Sequence, residues 1–278
     1  EEHFGAVYAM SSPLDSDGDG LLDDWEILGI PYTNADGDIC RLSLSAYEYG
    51  DGEFFNADPL VKDLFVEIDT MAGLDFSDAS IDALEIAFAD APVSNPSPDH
   101  PTGINLWILV DEQTIPFEQT TIFPNSGWPT SFGPLKATYF GTLEEKQDQA
   151  KVDAKARAFR YCVMANDLEF ADGQGFGGMA ELPGNDFVIT PGGRPLSTAA
   201  VFMHELGHCL NLKHGGDDHI NGKPNYPSIM NYILAYREPW SRTFWQLDYS
   251  REKLASLDEI DPDLLDVYEK LGIPLDEQ

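Results

Sequence analysis

The chain has 278 residues, 42% of them hydrophobic, which is enough for a sizeable core in one large or two small domains. It carries 49 acidic residues against 16 basic ones, a formal net charge of −33. That balance argues against nucleic acid, whose phosphates would be repelled, and no run approaches the roughly 18 apolar residues of a membrane span. The acidity suits high solubility, bound calcium or a salty medium, and composition does not separate these. The sequence opens on Glu-Glu-His with no apolar signal segment, so any such signal has been removed or lies outside this stretch. Of the three cysteines, Cys40, Cys162 and Cys209, at least one is unpaired in a monomer, and a disulfide between the other two cannot be assigned from sequence.

Residues 15–26 read Asp-Ser-Asp-Gly-Asp-Gly-Leu-Leu-Asp-Asp-Trp-Glu. The spacing is that of a twelve-residue calcium loop. Asp15, Asp17 and Asp19 take the first, third and fifth positions, and Gly20 makes the sharp turn. Leu21 offers its carbonyl, Asp23 takes the ninth position, and Glu26 is the bidentate last ligand. No amphipathic helix precedes the loop, so it is expected to act as a structural staple for Ca2+. The faint repeat at Asn34, Asp36 and Asp38 has Ile39 where glycine is wanted and reads as a plain turn.

Residues 64–70 read as a strand with Leu64, Val66 and Ile68 on one face. Residues 77–91 read as a helix, residues 92–102 as a proline-rich loop, and residues 104–110 as a second buried strand. Strand, helix, strand opens an α/β layer with a parallel pair. Residues 112–140 hold four prolines among aromatics and read as an irregular surface excursion. Thr142–Glu145 is a capping box that should start a helix running to about Ala156. Strands follow at 159–164 and 185–190, with a glycine-rich turn at 173–178 between them. Residues 191–197 form a loop leading into the next helix, and residues 261–272 a terminal helix.

The helix after that loop carries His204, Glu205 and His208 in an almost wholly apolar segment. Four-residue spacing puts both imidazoles on one face, one turn apart, within reach of one ion. This is the H-E-x-x-H pattern, two neutral zinc ligands beside a carboxylate general base. His214 follows six residues later. On a straight helix it would lie about 240° around and roughly 9 Å along, out of reach. It ligates only if the chain turns back, and Asn211 stands where a residue tolerating positive φ is needed. His204, His208 and His214 leave a fourth position for water, the catalytic kind of zinc site. Downstream comes Ser228-Ile229-Met230-Asn231-Tyr232, with Met230 sixteen residues after His214.

Together these residues resemble the metzincin metallopeptidases, whose motif continues through a third histidine to a methionine-containing turn. The Ser-Ile-Met-x-Tyr form is similar to the astacin, serralysin and pappalysin branches, and the surrounding stretch to secreted bacterial members with acidic calcium repeats. Asn211 departs from the glycine of that family, and the residue after His214 assigns no subfamily. The resemblance implies a mixed α/β fold. It would have a twisted sheet with an antiparallel edge strand, a long zinc helix and a small C-terminal subdomain ending in a helix. The division expected is a calcium-binding segment at 1–62 packed on a catalytic domain at 63–278, whose upper part is 63–214 and lower part 215–278. It further implies that Met230 supports the metal from below and that Tyr232 helps hold the developing oxyanion. Gly178, Met179, Ala180 and Glu181 would lie on the strand edge that binds extended substrate, although an ordinary edge strand fits them equally. Aromatics at 237–249 either line a specificity pocket or belong to the core.

The function expected is that of a secreted, monomeric zinc-dependent endopeptidase acting on proteins or peptides. The alternative is an inactive, calcium-stabilised surface or adhesion module, against which the intact Glu205 counts.

Overall fold

The computed structural model describes residues 14–49, 53–123, 128–191, 195–223, 226–232 and 247–251. After the acidic loop come a short helix α1 (Asp23–Leu28) and an antiparallel pair, β1 (Ile30–Thr33) and β2 (Ile39–Leu42). A smaller pair, β3 (Glu48–Tyr49) and β4 (Glu53–Phe54), follows. The interior strand β5 (Asp63–Thr70) leads through α2 (Asp78–Ala89) to β6 (Asn105–Val110), a parallel neighbour. Then come β7 (Thr121–Phe123), α3 (Trp128–Tyr139) and α4 (Gln149–Lys155). They are followed by β8 (Phe159–Met164), β9 (Leu168–Phe170), β10 (Gly175–Phe176), β11 (Gly178–Ala180), β12 (Asp186–Ile189) and α5 (Pro195–Cys209).

The fold is mixed α/β. Its main sheet has the order β11-β12-β8-β5-β6, parallel throughout except for the antiparallel edge β11. A parallel sheet must be covered on both faces, and the period of two divides its side chains accordingly. Leu64, Val66, Ile68, Leu106, Ile108, Cys162, Met164 and Phe187 face α2 and α5. Phe65, Phe159, Tyr161, Val163 and Val188 face the other way. They pack with Ile30, Leu42, Leu44, Tyr47 and Phe55 of the N-terminal segment, Phe132 of α3 and Ala154 of α4. A three-stranded sheet, β10-β9-β7, lies outside these layers.

The strands at 64–70, 104–110, 159–164 and 185–190 and the helix at 77–91 match the sequence expectation to within two residues. Residues 112–140 are not irregular throughout: they supply β7 and α3, with Pro134 inside the helix. The capping box forms, with Thr142 N donating to Glu145 Oε2 at 2.8 Å and Glu145 N to Thr142 Oγ1 at 3.2 Å. It opens only a 3-10 turn, however, and Asp148 starts α4 afresh by accepting from Ala150 N at 3.0 Å. The glycine-rich turn is part of the β9-β10 hairpin, and α5 begins at Pro195, inside the expected loop. The expected terminal helix at 261–272 and most of 237–249 lie outside the described residues.

A buried ion cluster sits under the second face. Lys155 is 0% exposed, pairs with Glu67, and donates to Glu145 Oε2 at 2.9 Å. The Tyr47 hydroxyl donates to Glu145, and Gly141 N donates to Glu67 Oε1 at 2.6 Å. The Lys155 Nζ lies 4.8 Å from the Tyr47 ring centre and 5.0 Å from that of Phe159. Burial works against the Lys155 charge, but the two carboxylates outweigh it and raise its pKa. Burial likewise opposes the Glu145 charge, yet Lys155 and Tyr47 hold that carboxyl below its usual range. All three cysteines are free thiols. No helix among the described residues is long and apolar enough to cross a membrane.

Candidate active site

Helix α5 is buried nearly all round, with Ala199, Ala200, Phe202, Met203 and Leu206 in the core. An apolar helix of this kind is held by packing on every side, so its few polar residues must find partners or a ligand. His204 and His208 lie one turn apart, their rings 4.9 Å between centroids. The helix then stops. Asn211 has φ 72°, the only non-glycine with positive φ among the described residues, and Leu212 N donates back to Gly207 O at 2.8 Å. This left-handed stop reverses the chain. His214 consequently returns to the helix, its Nε2 3.1 Å from His208 Nε2 and its ring 5.3 Å from that of His204. One ring nitrogen from each of the three histidines lies within 4.8 Å of those of the other two.

The outer nitrogens are fixed by main-chain carbonyls: His204 Nδ1 by Ile229 O at 2.9 Å and His208 Nδ1 by Leu212 O at 2.8 Å. A carbonyl only accepts, so each Nδ1 is assigned the hydrogen and each Nε2 a lone pair. Burial, against the pull of the Ile229 carbonyl, lowers His204 to about 3. Burial with His208 and His219 lowers His214 to about 4. The cluster is therefore neutral near pH 7, the form that ligates a metal.

Glu205 is 3% exposed, and burial pushes its carboxyl up to about 8. It rests against β11: a Cβ at Gly178 would come within 2.6 Å of Glu205 Cγ. Beneath the helix, Met230 is fully buried, and a Cβ at Gly207 would meet its Sδ at 2.3 Å. The turn that carries Met230 is closed by Asn231 N donating to Ser228 O at 3.0 Å. Asn231 Nδ2 also donates to Lys223 O at 2.8 Å and to Tyr226 O at 3.1 Å. Tyr232 is 40% exposed, with its ring 4.3 Å from that of His214.

Above these residues opens a cleft of about 570 Å³, lined by Glu205, His208, His214 and Tyr232 on one side. The β9-β10 hairpin and the strand edge Gly178, Met179 and Ala180 line the other, where Phe170 and Phe176 stack at 4.4 Å.

No family model and no curated protein matches this chain. Among solved structures, it is similar to an archaemetzincin from Archaeoglobus fulgidus complexed with malonate. The TM-score is 0.38 at 11% identity, over 68% of this chain and 96% of that one. A zinc-dependent peptidase from Methanocorpusculum labreanum gives 0.38 at 10% identity, over 60% and 87%. A structure of a chaperone–substrate complex gives 0.41 at 11% identity, over 86% and 39%.

Of the expected strand edge, Gly178, Met179 and Ala180 form β11 and face the cleft, whereas Glu181 lies beyond it. Glu181 Oε2 accepts from Asn185 N at 3.0 Å and closes the connection to β12. The acidic loop is a separate cluster. Asp15, Asp17 and Asp19 converge, and Asp19 also meets Glu26 and Asp63. Asp23 turns away, accepting from Ser16 N and Oγ, both at 2.8 Å. The Leu21 side chain is in the core. Burial with neighbouring carboxylates pushes Asp17 up to about 6 and Glu26 up to about 9.

Sequence reading missed the carbonyls of Ile229 and Leu212, the hairpin aromatics, and Asp63. Main-chain carbonyls leave no sequence signal. The hairpin had one, in two aromatics flanking a glycine-rich turn.

Proposed function

We propose that the chain is a zinc-dependent endopeptidase. The observation that carries this reading is three neutral imidazoles converging beside a buried carboxylate on the floor of a cleft with an open strand edge. The donor set fits zinc: three imidazole nitrogens, two of them on rings oriented by main-chain carbonyls, with room for a fourth ligand. His204, His208 and His214 would hold the ion. A zinc ion there supplies Lewis acidity, making a water acidic and a carbonyl electrophilic.

In its ionised form Glu205 accepts the proton of the attacking water and passes it to the leaving amine. The outer edge of β11 offers main-chain groups to an extended peptide, which brings a scissile bond over Glu205. Tyr232, at the rim beside His214, offers a hydroxyl to the developing oxyanion. Met230 and Gly207 hold the helix at a fixed depth below the ligands.

Incubation of the full chain with one equivalent of zinc and a protein substrate should give internal cleavages that a zinc chelator stops. A chain that binds zinc stoichiometrically and cleaves none of a broad peptide library overturns the proposal. Gly178→Ala should lower turnover by about 10²-fold, the scale of an ångström-level misplacement of a reacting group. A Cβ there pushes on the Glu205 side chain and not on the imidazoles, so zinc content should be unchanged. Unaltered turnover would show that Glu205 has room to move.

A further inference from the structure

We propose that Asp15, Asp17, Asp19, Glu26 and Asp63 bind one divalent cation of the calcium class, which clamps the N-terminal loop to the first residue of β5. Asp63 lies outside the twelve-residue loop pattern and opens β5. Its main-chain N donates to Asp19 Oδ2 at 2.8 Å, and ligand oxygens of Asp19, Glu26 and Asp63 lie within 4.8 Å of one another. Asp15, Asp17 and Asp19 form a second such trio, joined to the first through Asp19.

Two buried side chains within these trios have oxygens with no partner. Glu26 is 5% exposed and its Oε1 is unsatisfied, while Asp17 is 8% exposed and its Oδ2 is unsatisfied. A buried carboxylate oxygen without a donor carries the full cost of its lost hydration unless an ion supplies the missing contact. The other oxygens are placed by the main chain. Gly18 N and Gly20 N donate to Asp15 at 2.7 and 3.1 Å, and Leu21 N donates to Asp19 Oδ1 at 2.7 Å. The Lys62 ammonium bonds the Asp17 carbonyl and leaves the two orphan oxygens unmet.

An all-oxygen, carboxylate-rich donor set selects a hard cation. Many protein carboxylates in an irregular loop favour calcium over magnesium, which keeps its waters and demands a regular octahedron. Asp63 is fixed in turn by Asn105 Nδ2 at 3.0 Å and Trp107 Nε1 at 2.6 Å, so the ion would be tied to both β5 and β6. This clamp is independent of whether the imidazole site is a peptidase.

Trp107 provides the probe. Terbium, a hard cation that takes calcium sites, should show luminescence sensitised by indole excitation when added to the metal-free full chain. Saturation should come at one ion per chain, and calcium should displace the terbium while magnesium does not. Calcium alone should raise the melting temperature. Asp63→Asn, which keeps the shape, should weaken terbium and calcium binding by about tenfold or more through loss of a charged ligand. Glu26→Gln should do the same, and Asp38→Asn, in the neighbouring turn, should do neither. Absence of sensitised luminescence, or a melting temperature indifferent to calcium, overturns the site. Unchanged affinity in Asp63→Asn, with the other two variants as expected, removes the clamp.

Discussion

If Glu205 is the general base of the proposed peptidase, Glu205→Gln should lower peptide hydrolysis by about 10²–10⁴-fold, the contribution of such a positioned group, and should leave one zinc per chain. The amide keeps the volume of the carboxylate in a space bounded by Gly178, so the helix has no reason to shift. It does not accept a proton at neutral pH, so under the proposed mechanism the water would no longer be activated. His204 and His208 keep the carbonyls of Ile229 and Leu212, and the imidazole set is undisturbed. Turnover and zinc content measured on the same sample separate this outcome from simple unfolding. A variant that hydrolyses peptides at close to the normal rate would remove Glu205 from the chemistry.

Lys155→Met destabilises the fold by about 3–5 kcal/mol, the usual cost of removing one partner from a buried ion pair. The corresponding fall in Tm is on the order of 10 °C, given about 2–4 °C per kcal/mol in chains approaching this size. Methionine fills much of the same space among the Tyr47, Phe140 and Phe159 rings, so the loss is electrostatic rather than a cavity. Glu67 and Glu145 are then left in the core without their cation. Adding Glu67→Gln to Lys155→Met should recover part of the loss, because one uncompensated charge disappears. Equal melting curves for wild type and Lys155→Met would show that the two carboxylates are neutralised by other means.

The sheet was legible because its strands are short apolar runs closed by turns. The order Leu64, Val66, Ile68 even gave the face that meets the helices. The reversal at Asn211 was legible too, since His214 could rejoin His204 only through a left-handed residue. Helix α3 was not, because its prolines read as helix breakers. Pro129 stands in the first turn, where no intrahelical donor is lost, and Pro134 is tolerated within the span. Lys155 closes a helix of sequence Gln-Ala-Lys-Val-Asp-Ala-Lys, which reads as a solvated face. What draws it inward is Glu67 on β5, and nothing local to residue 155 announces a partner that distant. Asp63 is hidden in the same way. Its role depends on β5 starting beside the acidic loop, which is a fact of topology and not of spacing.

The brace on His204 comes from far along the chain. Ile229 supplies the carbonyl that fixes its ring, Asp248 accepts from Ile229 N at 2.9 Å, and the Tyr249 hydroxyl donates to Met203 O at 2.7 Å. During synthesis from the N-terminus, all three histidines leave the ribosome before any of these residues exists in folded form. A nascent chain halted in that interval owns every nitrogen needed to grip an ion but not the carbonyl that aims the first of them. Assembly of the centre is thereby postponed to the moment the later segment folds home.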